Sequence, residues 1–262
     1  LSSSAALECA TAFALNELNR LRVSKMDLAL ISQKAEQRFA GVNCGIMDQF
    51  ASVFGKKDYA MLLDCRNMEY QYIPMELKGY KFLLLNTKIK HALSDSAYNK
   101  RRMQCELGVS WINSHNPNVN SLRDANIEML DDFVKSIDDD VYQKCKFVVE
   151  ETIRTKNAAL MLKDGDLNGL GTLMYETHEG LSKAYEVSCP ELDFLVDKVK
   201  NVPAVLGARM MGGGFGGCTI NIVKEEEIDA LVDQLKPLYF EQFGLALEAY
   251  IVETDNGSEI IA

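Results

Sequence analysis

Three consecutive serines, Ser2, Ser3 and Ser4, run through Ala5, Ala6 and Leu7 into a long helical pattern. Serine suits a helix start because its oxygen accepts one of the backbone N–H groups that lack a partner there. The same end presents free N–H groups and the positive pole of the helix dipole, which suits an anion such as a phosphate. Farther on, Asp48 lies in the segment CGIMDQF. A carboxylate in a closed site can orient a hydroxyl and take its proton as a bond to phosphorus forms. A third segment, Ala208–Val223, reads ARMMGGGFGGCTINIV and sets Gly212, Gly213, Gly214, Gly216 and Gly217 between two apolar runs. Glycine at that density loses too much backbone entropy for a strand or helix interior, so it marks a loop with positive φ or close approach. Each feature also has a plain structural reading: an ordinary cap, a solvated helix aspartate, a strand-to-strand turn.

The elements that must carry these residues follow from apolar spacing. Residues 3–21 predict a helix with Ala6, Leu7, Ala10, Phe13, Ala14, Leu18 and Leu21 on its apolar positions. A second helix covers Lys25–Phe39 and stops near Gly41, and a short third one, Ile46–Phe54, carries Asp48. Ala60–Cys65 and Glu69–Pro74 read as a strand pair, and Lys81–Thr87 as a buried strand. Helical patterns cover Ser96–Trp111, one stretch from Asp131 to Lys163, Leu167–Glu176, Glu191–Val199 and Glu226–Phe240. Strands are expected at Val205–Met210, Thr219–Val223 and Leu247–Val252. This closing order predicts an α+β sheet with helices on one face, and a division near Leu77–Tyr80 into residues 1–78 and 79–262.

Composition narrows the partners. A net charge of −10 speaks against nonspecific nucleic-acid or anionic-membrane binding, which needs clustered Lys and Arg. It does not speak against ATP, whose phosphates can be held by helix N–H groups and a metal ion. Seven scattered cysteines with no CxxC pair argue against zinc and for reduced thiols, hence a cytoplasmic protein. No apolar run is long enough for a membrane span. His91, His115 and His178 sit in no nucleophile motif, which weakens a Ser-His-Asp hydrolase reading.

Taken in order, LSSSAALE, CGIMDQF, SAYNKRRMQCE (96–106), AYEVSCPELDFL (184–195) and GGGFGGC resemble the GHMP small-molecule kinases, and within them the galactokinase branch. The resemblance covers essentially the whole chain. It implies an α+β, two-lobed GHMP kinase fold. Residues 1–78 would be the remainder of a ribosomal protein S5 domain 2-like lobe, with its N-terminal part incomplete, and residues 79–262 a ferredoxin-like C-terminal lobe. By resemblance Ser2, Ser3, Ser4 and Ala5 cradle ATP phosphates, Ser4 and Glu36 hold Mg²⁺, and Asp48 is the catalytic carboxylate. Gly45, Asp48 and Tyr98 contact the sugar, with the glycine loop 212–217 in support. Arg101 and Arg102 follow Tyr98, with nothing to single out either as a phosphate contact.

The implied reaction is phosphorylation of galactose at its anomeric hydroxyl by MgATP, in a protein expected to be a monomer when full-length. N-acetylgalactosamine kinases share these motifs, and a non-catalytic sugar sensor on the same fold is a rival of another class. Such sensors lose residues from the SSSAA segment, which is intact here. The family's glycine-rich lead-in and first motif are expected before Leu1, so residues 1–262 alone are expected to bind ATP weakly and turn over no sugar.

Overall fold

The computed structural model describes residues 3–41, 43–89 and 94–261, with the backbone alone for 94–96. The chain divides into two compact units, Leu1–Glu76 with Glu253–Ala262, and Leu77–Val252. The expected division at 78/79 did not anticipate that the C-terminal residues rejoin the first unit.

In the first unit, α1 (Ser3–Asn19), α2 (Lys25–Ala35) and α3 (Met47–Phe54) pack around Cys9, Ala29, Ile46, Phe50 and Val53, all buried. A hairpin of β1 (Tyr59–Leu63) and β2 (Tyr70–Pro74) adds Met61 and Leu63 to that core. Ser24 caps α2 by accepting from the Asp27 N–H at 3.1 Å. Beyond Ala35 the helix widens into a π-helical turn, Glu36–Ala40, and ends on Gly41 at φ 75°. Single π turns recur at functional sites, and this one begins on Glu36. The returning tail is fastened to the far end of α3 by Gly257 N–H to Gly55 O and Ser258 N–H to Ser52 O, both 2.8 Å. Leu18 and Leu21 of the first helical stretch stand exposed, whereas Phe13 is half-buried.

The second unit contains β3 (Tyr80–Asn86), α4 (Ser94–Asn113), α5 (Ile127–Phe133), α6 (Asp139–Asp164), α7 (Leu167–Glu179) and α8 (Pro190–Val199). β4 (Val205–Met210), β5 (Cys218–Lys224), α9 (Ile228–Phe243) and β6 (Glu248–Val252) follow. The antiparallel sheet has the order β4-β5-β3-β6, the ferredoxin-like βαββαβ arrangement with a helical subdomain in its first crossover.

Two expectations are corrected. The stretch from Asp131 to Lys163 is not one helix: α5 stops at Phe133, and Asp138 starts α6 by accepting from the Val141 N–H at 3.0 Å. Three successive aspartates, Asp138–Asp140, favour a new N-terminus over a helix interior. The sheet is also covered on both faces. Leu83, Leu85 and Val223 pack under α8 and α9, while Phe82, Ile220 and Ile222 meet α7 and α6. Continuous apolar strands present apolar side chains both ways, and both faces must be covered. Where α7 crosses β4 the backbones touch: a β-carbon on Gly171 would stand 2.0 Å from Leu206 O.

Among the described residues no helix is long and apolar enough to cross a membrane, and the seven cysteines are free of disulfides.

Candidate active site

In the first unit the sequence-predicted residues gather around the start of α1. Ser3 and Ser4 are exposed in its first turn, where backbone N–H groups lack helical partners. Ala5 is buried, so any phosphate contact from it would come from its backbone; Ser2 lies outside the described residues. One turn along from Ser4 on the same face is Glu8. Its carboxyl is within hydrogen-bonding reach of Glu36 and of the Gln49 side-chain amide. Burial, then the Glu36 carboxyl, push Glu8 above the usual carboxylate range, and Gln49 opposes them.

Glu8 Oε2, Glu36 Oε2 and Gln49 Oε1 are buried, with no hydrogen-bond partner among the described residues. Three buried oxygens that accept from no donor are costly unless a cation or proton joins them. Nowhere among the described residues do three His, Cys, Asp or Glu side chains group to hold a metal ion by themselves. That suits Mg²⁺, which uses one or two carboxylates plus substrate phosphates rather than an all-protein cage. The residues present therefore fit this ion.

Asp48 stands in the first turn of α3, half-buried, beside Ile46 and Phe50, which are both buried. The backbone just before it is pinned: Cys44 O accepts from Gln33 Nε2 at 3.2 Å and from Gln37 Nε2 at 3.1 Å. Burial, then the charge of Glu36, push the Cys44 thiol up, with lesser contributions from Glu8 and Asp48. Gly45 is exposed, and a β-carbon there would meet nothing within 4 Å. Glu8 and Gln49 went unassigned in the sequence, although Glu8 lies four residues from Ser4 and Gln49 adjoins Asp48.

In the second unit the structure brings together Tyr98 and the glycine loop. A β-carbon on Gly213 would lie 3.6 Å from the Tyr98 ring. Gly212, Gly214, Gly216 and Gly217 all have φ between 79° and 137°. Gly214 is also crowded, since a β-carbon would stand 2.1 Å from Val187 O. The loop is anchored by Phe215 N–H to Val187 O at 2.6 Å and by Thr87, whose N–H and hydroxyl donate to Gly217 O at 2.9 and 2.8 Å.

The segment leading to Val187 is itself clamped. Arg101 donates to Tyr185 O at 2.6 Å and Glu186 O at 3.1 Å, and buried Lys144 donates to Ala184 O at 2.8 Å and Glu186 Oε2 at 2.7 Å. Arg101 is therefore committed to the fold, whereas Arg102 pairs with Glu106 at the surface.

His178 carries the other end of the loop. Its Nδ1 accepts from the Met210 N–H at 3.2 Å, so Nε2 bears the proton and meets Asp193 Oδ1 at 3.2 Å. Ser182 and Ser188 also donate to Asp193. Burial pushes the imidazole below its usual range, against the raising pull of Asp193, Asp197 and Glu179. A depressed folded pKa means the unfolded chain binds the proton more readily. The contribution is fully present above about pH 6.5 and is lost as pH falls below it. Urea midpoints at pH 7.5 and 5.5 should fall in the wild type, and His178→Gln, which keeps one acceptor and one donor without titrating, should flatten that slope. An equal slope in the variant would remove His178 as the cause. Of the other histidines, His115 stacks on Phe133 in a surface turn, and His91 lies outside the described residues.

Comparison with known proteins joins these halves to a family. Residues 1–56 match the GHMP kinases N terminal domain and residues 157–241 the GHMP kinases C terminal domain. A galactokinase from Thermotoga neapolitana is 42% identical over 261 residues, all of this chain and 72% of its own length. The chain belongs to the galactokinase family of GHMP kinases. It is a sugar kinase by that membership. The galactokinase of Clostridium acetobutylicum is 40% identical over 262 residues, 67% of its length. The crystal structure of Lactococcus lactis galactokinase complexed with galactose superposes with a TM-score of 0.93 at 33% identity, covering 98% of this chain and 66% of that one. The chain thus spans about two thirds to three quarters of the galactokinases it matches.

Proposed function

We propose that this chain carries most of the machinery of a galactokinase, which transfers the terminal phosphoryl group of MgATP to the anomeric hydroxyl of galactose. The products are galactose 1-phosphate and ADP. The observation that carries the reading is the pair of buried, unpartnered carboxylate oxygens of Glu8 and Glu36 in the unit that also holds the exposed serines of α1 and Asp48 in the first turn of α3. That is the arrangement phosphoryl transfer needs: anion-binding N–H groups, a site for a hard cation, and a carboxylate to receive a proton.

In this reading the N-terminal turn of α1 binds phosphate oxygens through backbone N–H and the hydroxyls of Ser3 and Ser4. Glu36, with Ser4, holds the cation. Bound with the nucleotide, Mg²⁺ supplies charge neutralisation at the phosphates. Asp48 orients the sugar hydroxyl and accepts its proton as the oxygen attacks. Tyr98 offers its hydroxyl to the sugar, and the glycine loop backs its ring. The two units correspond to the remainder of the N-terminal lobe and to the C-terminal lobe.

Substrate choice tests the reading. Buried groups built to hydrogen-bond one hydroxyl are left unpaired by its epimer. In the full-length enzyme the kcat/KM for galactose should exceed that for glucose by about 10²-fold or more. Equal values would overturn the assignment, and a preference for N-acetylgalactosamine would redirect it to that kinase.

A further inference from the structure

We propose that Glu8 is a second carboxylate of the cation site, facing the same ion as Glu36, with Gln49 fixing its direction. This rests on the reading of Glu36 above and goes beyond it.

Three elements converge here. Glu8 comes from α1, Glu36 from the π turn that follows α2, and Gln49 from α3. Glu36 still donates its N–H to Ser32 O as in an α-helix, and the π turn begins at this residue, so its carboxyl lies at the end of α2 beside Glu8. Two acid side chains from separate elements are held within hydrogen-bonding reach, an unfavourable arrangement for two anions. A structural pair would place a Lys or Arg between them, and no ion pair involving either is seen among the described residues. Gln49 points to the same conclusion independently. It is 2% exposed, its amide reaches Glu8, and its Oε1 is buried without a partner. A buried amide oxygen left in this way is a ready ligand for a hard cation and a poor choice for a core. Ser4, one helical turn before Glu8, puts a hydroxyl on the same face. A cation held by Ser4 and Glu36 would therefore meet Glu8 as well.

Glu8→Gln separates this role from mere packing. The amide keeps the shape and can donate to Glu36, so a structural bond survives while the negative charge is lost. Mn²⁺ binding in the presence of ADP, followed by electron paramagnetic resonance, reads the site without turnover. Glu8→Gln should raise the Mn²⁺ Kd about 10-fold or more, and Glu36→Gln should raise it as well. An unchanged Kd in Glu8→Gln beside a raised one in Glu36→Gln overturns the proposal and leaves the reading of Glu36 standing. Unchanged values in both variants overturn the two together. Thermal melting checks folding. Should Glu8→Gln fail to fold, Glu8→Asp pulls the carboxylate back by one methylene. An unchanged Kd there overturns the proposal, and a raised one supports it.

Discussion

In the full-length protein, replacing Asp48 by Asn lowers kcat for galactose phosphorylation by about 10²–10⁴-fold, the usual contribution of a positioned proton acceptor. Asn has nearly the same shape and can still orient a hydroxyl, but it cannot take the proton. The loss should fall on kcat, with sugar binding by calorimetry little changed. The fold should survive, because this turn has anchors of its own. Ile46 and Phe50 are buried on either side, Cys44 O is held by two glutamines, and Ser52 Oγ donates to Asp48 O. A coupled ADP-release assay on a variant with an unchanged melting temperature gives the answer. Retention of near wild-type kcat would remove Asp48 from the chemistry.

Replacing Gly214 by Ala destabilises the second unit by about 3 kcal/mol or more, a strain cost and an overpacking cost together. Its φ of 90° is a conformation that L side chains rarely adopt, and the new β-carbon would lie 2.1 Å from Val187 O. The carbonyl cannot retreat, because it accepts from the Phe215 N–H at 2.6 Å and its segment is clamped through Glu186 by Arg101 and Lys144. Gly212 is the control. It shares a positive φ of 79°, yet a β-carbon there meets nothing within 4 Å. Gly212→Ala should cost about 1–2 kcal/mol, the conformational part alone. Denaturant midpoints of the two variants decide the matter. Equal losses would mean that crowding at Val187 does not matter.

The element pattern was largely legible in the amino-acid sequence. The starts of α1 and α2, the helix under Asp48, the strand KFLLLN and the two strands around the glycine loop lie within a few residues of where apolar period and glycine stops put them. Local rules suffice there, since capping, period and chain stiffness act over a single turn or strand. The break between Phe133 and Asp139 was missed because an apolar period continues across it, while the capping carboxylate of Asp138 is a local competitor that wins. The crowding of Gly171 on β4 left no mark in LNGLGTL, because its cause is a backbone from another part of the chain.

What the sequence determined by itself was the family and its motifs, since serines at a helix start, an aspartate on a short helix and a glycine loop are each written in a few adjacent residues. Which charged groups face one another was decided only by the tertiary structure. Arg101 and Arg102 are neighbours of one type, yet one is spent on the backbone of Tyr185 and Glu186 and the other on Glu106 at the surface. Glu8, Glu36 and Gln49 stand far apart in the chain, and their meeting depends on how α1, the π turn and α3 pack. Desolvation and Coulomb interaction depend on distance in space, and the order of residues along the chain sets that distance only through the fold.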